Sequence, residues 1–477
     1  MVNPGIRTSK WLTVGLLPVW LIASPAPAAE IGFDAAVQQA LQANPRAHES
    51  AAQTAAAEAG VQAARGTGLP RVSFQLNAAR SNDPLKVFGF RLSQREATFR
   101  DFGLADYAGP GSLDSAPGDL NYPGYATNYD TALAVTMPLF AGGGDEARVR
   151  AARAQLEATR QQQAMTREQL IFDVLRTYQG VYAARDMARA AHQARLAAER
   201  FVNTAEKLQA QGVALKSDVL TARAHLAAAR AEEQAARAGV ADAEEAFRVT
   251  LGRNRDSDVL PAAPVALAVP EGTLADMEAR ALGANLNLQA MQSRVEASDA
   301  GVDAARAGNW PRVDLMVRRD WNAATPALDA GSNTLVASMT WDLFSSGAQQ
   351  GSVHQAESRH RAASAALRGA RDHVRLGVAR GYRAMDTAES RVKAGEEAQN
   401  EAAEAARLVN LRYEQGIATL NDVLDAQARL DRARAQLVQA RYDDLLARAA
   451  LRLMLNDLDP AAVNAAPATN DNSGESP

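Results

Sequence analysis

Two stretches of the chain decide its fold, because one repeats the other: QGVALKSDVL at Gln211–Leu220 and QGIATLNDVL at Gln415–Leu424. Their glycines stand 204 residues apart. The same offset aligns the flanking sequence without a gap, from Leu139 against Leu343 onward. Self-similarity over such a length indicates that the chain is an internal duplication, so both copies should fold alike.

The duplication continues upstream with a different offset. Pro70–Val72 aligns with Pro311–Val313, which is an offset of 241 residues, so copy one carries 37 extra residues before Leu139. We therefore divide the mature chain into repeat 1 at 29–252, a Pro-rich connector at 253–274 and repeat 2 at 275–457. The polar tail at 458–477 is predicted to be disordered.

The N-terminus is typical of a secretory signal peptide at 1–28. Arg7 and Lys10 precede an apolar run at Trp11–Ala23, and the small residues of Ser24–Ala28 provide a cleavage site. The run is shorter than the roughly 20 residues that a membrane-spanning helix needs. The sequence therefore predicts export with cleavage near Ala29.

Composition excludes several classes of function. The 51 Lys and Arg against 55 Asp and Glu leave no positive excess for nucleic acid, so no nucleic-acid partner is expected. The absence of cysteine excludes thiolate metal sites and a lipid anchor on an N-terminal cysteine. Six scattered histidines and the lack of GxSxG or HExxH motifs argue against cofactors, metals and enzymatic activity.

Each copy is predicted to contain a helix, two strands and two further helices. Strands are expected at about 71–81 and 128–140, joined by a long loop at 82–127, and at about 312–321 and 333–344. Apolar and polar residues alternate along them, and each is near the 9–11 residues (roughly) of a tilted transmembrane strand. Aromatic residues stand at the ends of these runs, as in membrane-interface girdles: Tyr129, Phe140, Trp310, Trp321, Trp341 and Phe344. A small soluble sheet with one wet face fits the alternation equally well.

The strands lead into two long Ala-rich helices, predicted at 145–211 and 349–415. At a rise of about 1.5 Å per residue, each is a rod of roughly 100 Å. The returning helices, at 217–252 and 421–457, carry small residues at coiled-coil spacing. The seam of the second is Val423, Ala426, Leu430, Ala433, Leu437 and Ala440.

These lengths predict an α+β membrane protein with four transmembrane strands per protomer. Four strands cannot close a barrel, and an open sheet edge is not tolerated in lipid. Two chains would give a barrel too narrow for a channel, whereas three give twelve strands. We expect a trimeric twelve-stranded barrel, continued by a long coiled-coil helical barrel.

Across nearly the whole mature chain the sequence resembles the TolC-type outer-membrane efflux family. The resemblance is carried by the duplicated layout, by Pro138–Gly143 at the strand-to-helix turn, and by Tyr413–Gly416 and Asn421–Gln427 at the helical tip. It implies a homotrimer in outer-membrane lipid with a large periplasmic portion. It also implies a passive exit duct for small molecules or proteins, served by a periplasmic adaptor (membrane fusion) protein and an inner-membrane pump.

The resemblance also assigns residues at the tips. The family meets its adaptor through a Val-Gly-Leu-like turn, whose positions are taken here by Gln211, Gly212 and Val213 and by Gln415, Gly416 and Ile417. Glutamine replaces valine in both, which leaves the adaptor's identity open. The strand-to-helix turn is assigned to Pro138, Gly142 and Gly143.

Family members narrow at the tips through rings of aspartate, and Asp422 and Asp425 match those positions. Tyr413 and Asp218 match a pair that links neighbouring helices, while Ala418 replaces the arginine of a second link. Because acidic residues also complement a helix N-terminus, Asp218 and Asp422 have a purely structural alternative. Asp425 lies one turn further along, so it is the better gate candidate.

A periplasmic coiled-coil adaptor or scaffold is the alternative function, since it too would be exported and rich in long helices. It would not need two pairs of bilayer-length strands. The loop at 82–127 is unusually apolar and predicts an ordered lid packed over or into the barrel mouth. The sequence does not name the exported substrate.

Overall fold

The computed structural model of the protein describes residues 29–254, 257–460 and 463–465. The predicted signal peptide at 1–28 lies outside these residues. Copy one contains the elements β1 (Ala29–Ile31), α1 (Phe33–Ala43), α2 (Pro45–Gly66), β2 (Arg71–Ser81), α3 (Pro84–Ser93), α4 (Gly118–Asn121), β3 (Ala126–Phe140), α5 (Gly144–Ala210) and α6 (Lys216–Thr250). The rest of the chain contains β4 (Val259–Pro261), β5 (Val265–Leu267), α7 (Leu274–Ala284), α8 (Leu286–Arg306), β6 (Arg312–Ala323), β7 (Ser332–Thr340), α9 (Ala348–Glu414), α10 (Leu420–Met454) and β8 (Val463–Ala465).

Long helical hairpins form most of the molecule. α5 and α9 have 67 residues each, and they pair with α6 and α10, which have 35 each. The remaining length of the rods is covered by α2, which packs along α5, and by α8, which lies between α5 and α9. Within the described part of the chain, none of the helices is both long enough and apolar enough to cross a membrane.

Capping residues in the local sequence determine where the shorter helices begin. The side chain of Asn44 accepts a hydrogen bond from the Arg46 amide at 2.9 Å, and Pro45 occupies the first helical position. In copy two, Asn285 caps α8 in the same way, accepting from the Leu288 amide at 3.2 Å. Both caps satisfy amides that have no partner inside the helix.

The four long strands form one antiparallel sheet at one end of the rods, in the order β2-β3-β6-β7. β7 ends at Thr340, so the predicted strand at 333–344 extended four residues too far at its C-terminal end. The reason is that its partner β6 begins at Arg312, which lies opposite Thr340. Trp341 and Phe344 therefore lie in the connection to α9 rather than in the sheet.

Two small sheets cross the middle of the rods. β1 pairs with β4 in parallel, and β5 pairs with β8 in antiparallel fashion. The prediction of a disordered tail at 458–477 was wrong for the described part of that range. Leu458 is only 2% exposed, and Val463 pairs with Leu267. This pairing joins segments far apart in the chain, so local composition could not reveal it.

The main hydrophobic core lies at this same level. Tyr178 is 1% exposed, and Phe33 and Phe247 meet its ring edge-on at centroid distances of 5.6 and 5.5 Å. The Tyr178 hydroxyl donates to the Ile31 carbonyl at 3.3 Å. The core thus ties the strands at the middle of the molecule to the first long helix, and both hairpins extend away from it.

Candidate gate and docking site

Both hairpins turn through the same tight bend. Gly212 and Gly416 have φ angles of 73° and 71°, in the left-handed region that glycine adopts without strain. In the first bend the Val213 amide donates to the Leu208 carbonyl at 2.9 Å, and the second bend repeats this bond at the same distance. A Cβ on Gly416 would lie 3.8 Å from Val213 Cγ1, so the two bends touch.

Apolar side chains project from the bends into solvent. Val213 is 62% exposed, Leu215 69% and Ile417 72%, while Gln211 and Gln415 are exposed beside them. The structure therefore brings the six predicted docking residues together in one patch at the end of the rods. Exposed apolar side chains at such a position are suited to contact with another protein.

Leu215 is a residue of this patch that sequence reasoning missed. It occupies the N-cap of α6, where copy two has Thr419 at the N-cap of α10. Leucine is disfavoured at an N-cap because it cannot bond the free amides of the first turn. The unusual residue type at this position was the available signal.

Two of the gate candidates, Asp422 and Asp218, cap helices. Asp422 Oδ2 accepts from the Thr419 amide at 2.9 Å and from its hydroxyl at 2.7 Å. The Thr419 hydroxyl and then its amide hold the pKa of Asp422 below its usual range. Asp218 Oδ2 accepts from the Leu215 amide at 3.0 Å. These contacts are those of the helix-terminus alternative, although an exposed capping carboxylate still presents its charge to solvent.

Tyr413 does not make the bond expected from the resemblance. Its side chain is 5% exposed, packed between the hairpins with Phe201, Val219 and Val423, and its hydroxyl has no hydrogen-bond partner in this structure. Burial, and next the charge of Asp218, raise the pKa of Tyr413. Within one chain the expected Tyr413–Asp218 link is not formed, because Asp218 turns to its own helix end.

Asp425 stands apart from the other acidic candidates. It lies on α10 after the cap, is exposed, and makes no hydrogen bond or ion pair within the described residues. Its carboxylate is thus available for interactions outside the chain. Of the predicted gate residues, it is the one for which the structure provides no structural role.

Each predicted residue of the strand-to-helix turn has its own structural reason. Gly142 has φ 61°, and a Cβ there would lie 2.7 Å from the Ala307 carbonyl oxygen and 2.8 Å from Trp310 Cβ. Gly143 has φ 80° with open space around it. Pro138 lies beside a bulge in the β3–β6 pairing, where a missing amide is tolerated.

The described residues contain no group of three or more His, Asp or Glu side chains that could hold a metal ion. Pro138, Gly142 and Gly143 belong to the sheet end of the rods. The tip residues belong to the opposite end.

Comparison with known proteins identifies the family. A sequence model described as outer membrane efflux protein matches residues 36–253 and 279–457, which include most of both copies. Protein CyaE of Bordetella pertussis is 29% identical over 172 residues, covering 35% of this chain and 36% of CyaE. Outer membrane protein OprJ of Pseudomonas aeruginosa is 30% identical over 145 residues, covering 30% of each. The matched part thus spans about a third of each relative.

A solved structure extends the similarity to the whole fold. The outer membrane protein VceC of Vibrio cholerae superposes with a TM-score of 0.72 at 20% identity, covering 89% of this chain and 95% of VceC. The resemblance to TolC-type channels and the duplicated α+β fold are confirmed, and the adaptor alternative is not favoured. The family consists of outer membrane channels with a periplasmic portion, not of enzymes. With both copies matched, the chain belongs to the outer membrane efflux protein family.

Proposed function

We propose that three copies of this chain form a passive exit duct for small molecules or proteins. A twelve-stranded barrel would cross the outer membrane, and the helices would form a tunnel through the periplasm. A periplasmic adaptor and an inner-membrane pump would deliver the cargo. The observation that carries this proposal is the four-stranded sheet, which has one apolar face, one polar face and two edges that no other described strand pairs with.

The two faces of the sheet differ sharply. One row of cross-strand neighbours on the apolar face is Val72, Val135, Val317 and Leu335. The adjacent row on the polar face is Ser73, Ala134, Arg318 and Thr334. Phe74, Leu335 and Met339 on the apolar face are 68%, 71% and 67% exposed. Such a face fits lipid, while the polar face fits a water-filled interior.

The duplication predicts how the unpaired edges β2 and β7 meet. Within the chain, β3 of copy one pairs with β6 of copy two, and Val135 lies opposite Val317. The residue of β7 that corresponds to Val135 is Met339, 204 positions later. The residue of β2 that corresponds to Val317 is Leu76, 241 positions earlier. The equivalent contact therefore joins β7 of one chain to β2 of the next, with Met339 opposite Leu76. Repetition of one such contact closes a ring.

The helices support the same closure. Between the long helices, α8 packs against both α5 and α9, whereas its counterpart α2 packs along α5 only. In the duplication α9 corresponds to α5, and α2 corresponds to α8. The equivalent of the α5–α8 contact is therefore a contact between α9 of one chain and α2 of the next. The same two offsets thus predict one interface along both the strands and the rods. Three copies are the smallest ring that leaves a channel.

Disulfide cross-linking tests this assembly, since the chain has no cysteine of its own. Leu76→Cys combined with Met339→Cys should oxidise in membranes to a covalent trimer, because directly opposed strand residues lie within disulfide reach. Leu76→Cys with Ser338→Cys is the matched control, since Ser338 points to the opposite face. Efficient cross-linking of the control, or products that stop at a dimer, would contradict the proposed ring.

A second prediction concerns docking at the tips. Val213→Glu with Ile417→Glu should abolish efflux, measured as cellular resistance to an exported compound, and leave the cross-linked trimer intact. Charges in an apolar contact patch lose their hydration when the partner binds. Val249→Glu is the control, because this side chain is 56% exposed on the same hairpin, roughly 50 Å of helix from the bend. Loss of the trimer together with efflux would show that the patch serves folding only.

A further inference from the structure

The long loop between β2 and β3, residues 82–125, here called the mouth loop, lies on the polar face of the sheet. The residue directly after α3 is Gln94, whose Nε2 donates to Asn128 Oδ1 at 2.8 Å and to the Thr127 carbonyl at 2.9 Å. Asn128 Nδ2 in turn donates to Asn322 Oδ1 at 2.8 Å. Asn128 and Asn322 belong to the polar face, so α3 lies inside the proposed barrel.

Internal contacts make the mouth loop a folded element. Arg91 of α3 forms an ion pair with Asp101, whose side chain is 8% exposed. Asp101 also accepts hydrogen bonds from the Thr98 amide and hydroxyl at 2.7 and 2.8 Å. Arg95 donates to the Gly331 carbonyl at 2.7 Å, which ties the loop to the β6–β7 connection of copy two. The loop is therefore held in place over the sheet.

Large apolar and aromatic side chains of the mouth loop nevertheless face solvent. Tyr122 is 88% exposed, Leu85 81%, Phe99 80% and Leu113 73%. A folded loop that leaves such side chains uncovered within its own chain has an unused contact surface. Because the loop occurs only in copy one, a ring of three chains would place three of these surfaces around one axis.

The diameter of the proposed barrel and the width of a helix together indicate what those surfaces contact. Twelve strands spaced about 4.8 Å apart and tilted by about 40° give a barrel with a backbone diameter of roughly 24 Å. A helix with its side chains is about 10 Å wide, so three helices side by side need roughly 22 Å. The inward side chains of the strands narrow the bore below this width, so three copies of α3 placed at the barrel mouth would contact one another.

We infer that the mouth loops of the three copies pack together and close the outer end of the duct. This inference rests on the proposed trimer and adds a second barrier, at the opposite end from the helical tips. The partner of each exposed loop surface is the same loop of the neighbouring copies. Cargo would then leave only when the three loops separate.

Thiol accessibility from outside intact cells tests the closure. Ser73→Cys places a thiol on the polar face near the inner end of β2, and Leu328→Cys places one on the β6–β7 connection, where Leu328 is 65% exposed. A bulky maleimide-polyethylene glycol should label Leu328→Cys and leave Ser73→Cys unlabelled. When residues 82–125 are replaced by the short segment 324–331 of copy two, Ser73→Cys should become labelled as readily as Leu328→Cys.

A second variant tests the closure in a chain of full length, because the shortened chain could misfold. Phe99→Asp with Tyr122→Asp introduces charges only at exposed positions and should also admit the reagent to Ser73→Cys. The heat-resistant trimer is measured in detergent extracts of the same cells. Absence of the trimer would overturn the proposed function. A normal trimer in which Ser73→Cys is labelled with the loop intact, or stays unlabelled in both loop variants, would overturn the closure alone.

Discussion

Replacing Asp422 and Asp425 together by asparagine should remove most of the cation preference of the channel in planar bilayers. In a trimer, three copies of each residue would place six carboxylates around one axis at the tips. Negative charges gathered around a narrow passage with low-dielectric walls concentrate cations and repel anions. We expect small, cation-preferring currents from the unmodified protein that multivalent cations block, and loss of both properties in the double variant.

Asparagine is chosen because it removes the charge and can still accept the hydrogen bonds that Asp422 accepts from Thr419. Because the cap holds the pKa of Asp422 below its usual range, its charge should persist to a lower pH than that of an unperturbed aspartate. Asp425→Asn alone should account for much of the change, since Asp425 has no other role within the described chain. If the double variant kept its selectivity and block, both aspartates would lie on the outer surface as helix-terminus residues, and the gate assignment would be wrong.

Alanine at position 142 should largely prevent accumulation of the folded trimer. The new Cβ would lie 2.7 Å from the Ala307 carbonyl oxygen and 2.8 Å from Trp310 Cβ, in a backbone conformation with φ 61°. The strain of a left-handed backbone and the overpacking together destabilise each chain of the trimer by about 2–5 kcal/mol. The midpoint temperature at which the trimer dissociates in mild detergent should fall steeply, along with its abundance in the outer membrane.

Gly143→Ala is the matched control for this clash. Gly143 has φ 80° and no atom within 4 Å of the added Cβ, so the substitution carries only conformational strain, about 1–2 kcal/mol. The variant should assemble with a modestly lower midpoint. Equal behaviour of the two variants would show that the close approach of the α8 end to the turn is not what requires glycine.

Much of the fold followed from local sequence. Alternation at Val72, Phe74 and Leu76 indicated a strand whose apolar side chains share one face, and the structure has β2 at Arg71–Ser81 with these residues exposed. The matching tip sequences around Gly212 and Gly416 indicated two similar bends, since a left-handed glycine is a local requirement. Patterns of this kind are visible because they repeat within one helix turn or one pair of strand residues.

The candidate site was less completely predictable. Gln211 to Val213 and Gln415 to Ile417 do form one exposed patch, yet Leu215 was missed. At the position in α6 that aligns with the seam residue Leu437 of α10, the chain has the charged residue Glu233, which is nevertheless buried. Glu233 accepts from Arg195 and Arg237 at 2.6 and 2.7 Å. A seam position fixes burial, but only the neighbouring helix determines whether a buried charge finds partners.

The sequence by itself determined the duplication, the presence of the four strands, the lengths of the rods, the tight bends and the family, because these are written in residue order and period. Only the tertiary structure decided that Asp218 turns to its own helix end and leaves the Tyr413 hydroxyl unpartnered. It alone paired the tail residue Val463 with Leu267 and laid α3 on the polar face through Asn128. Each of these depends on atoms brought together from distant parts of the chain, and no local pattern specifies which distant side chain will be the neighbour.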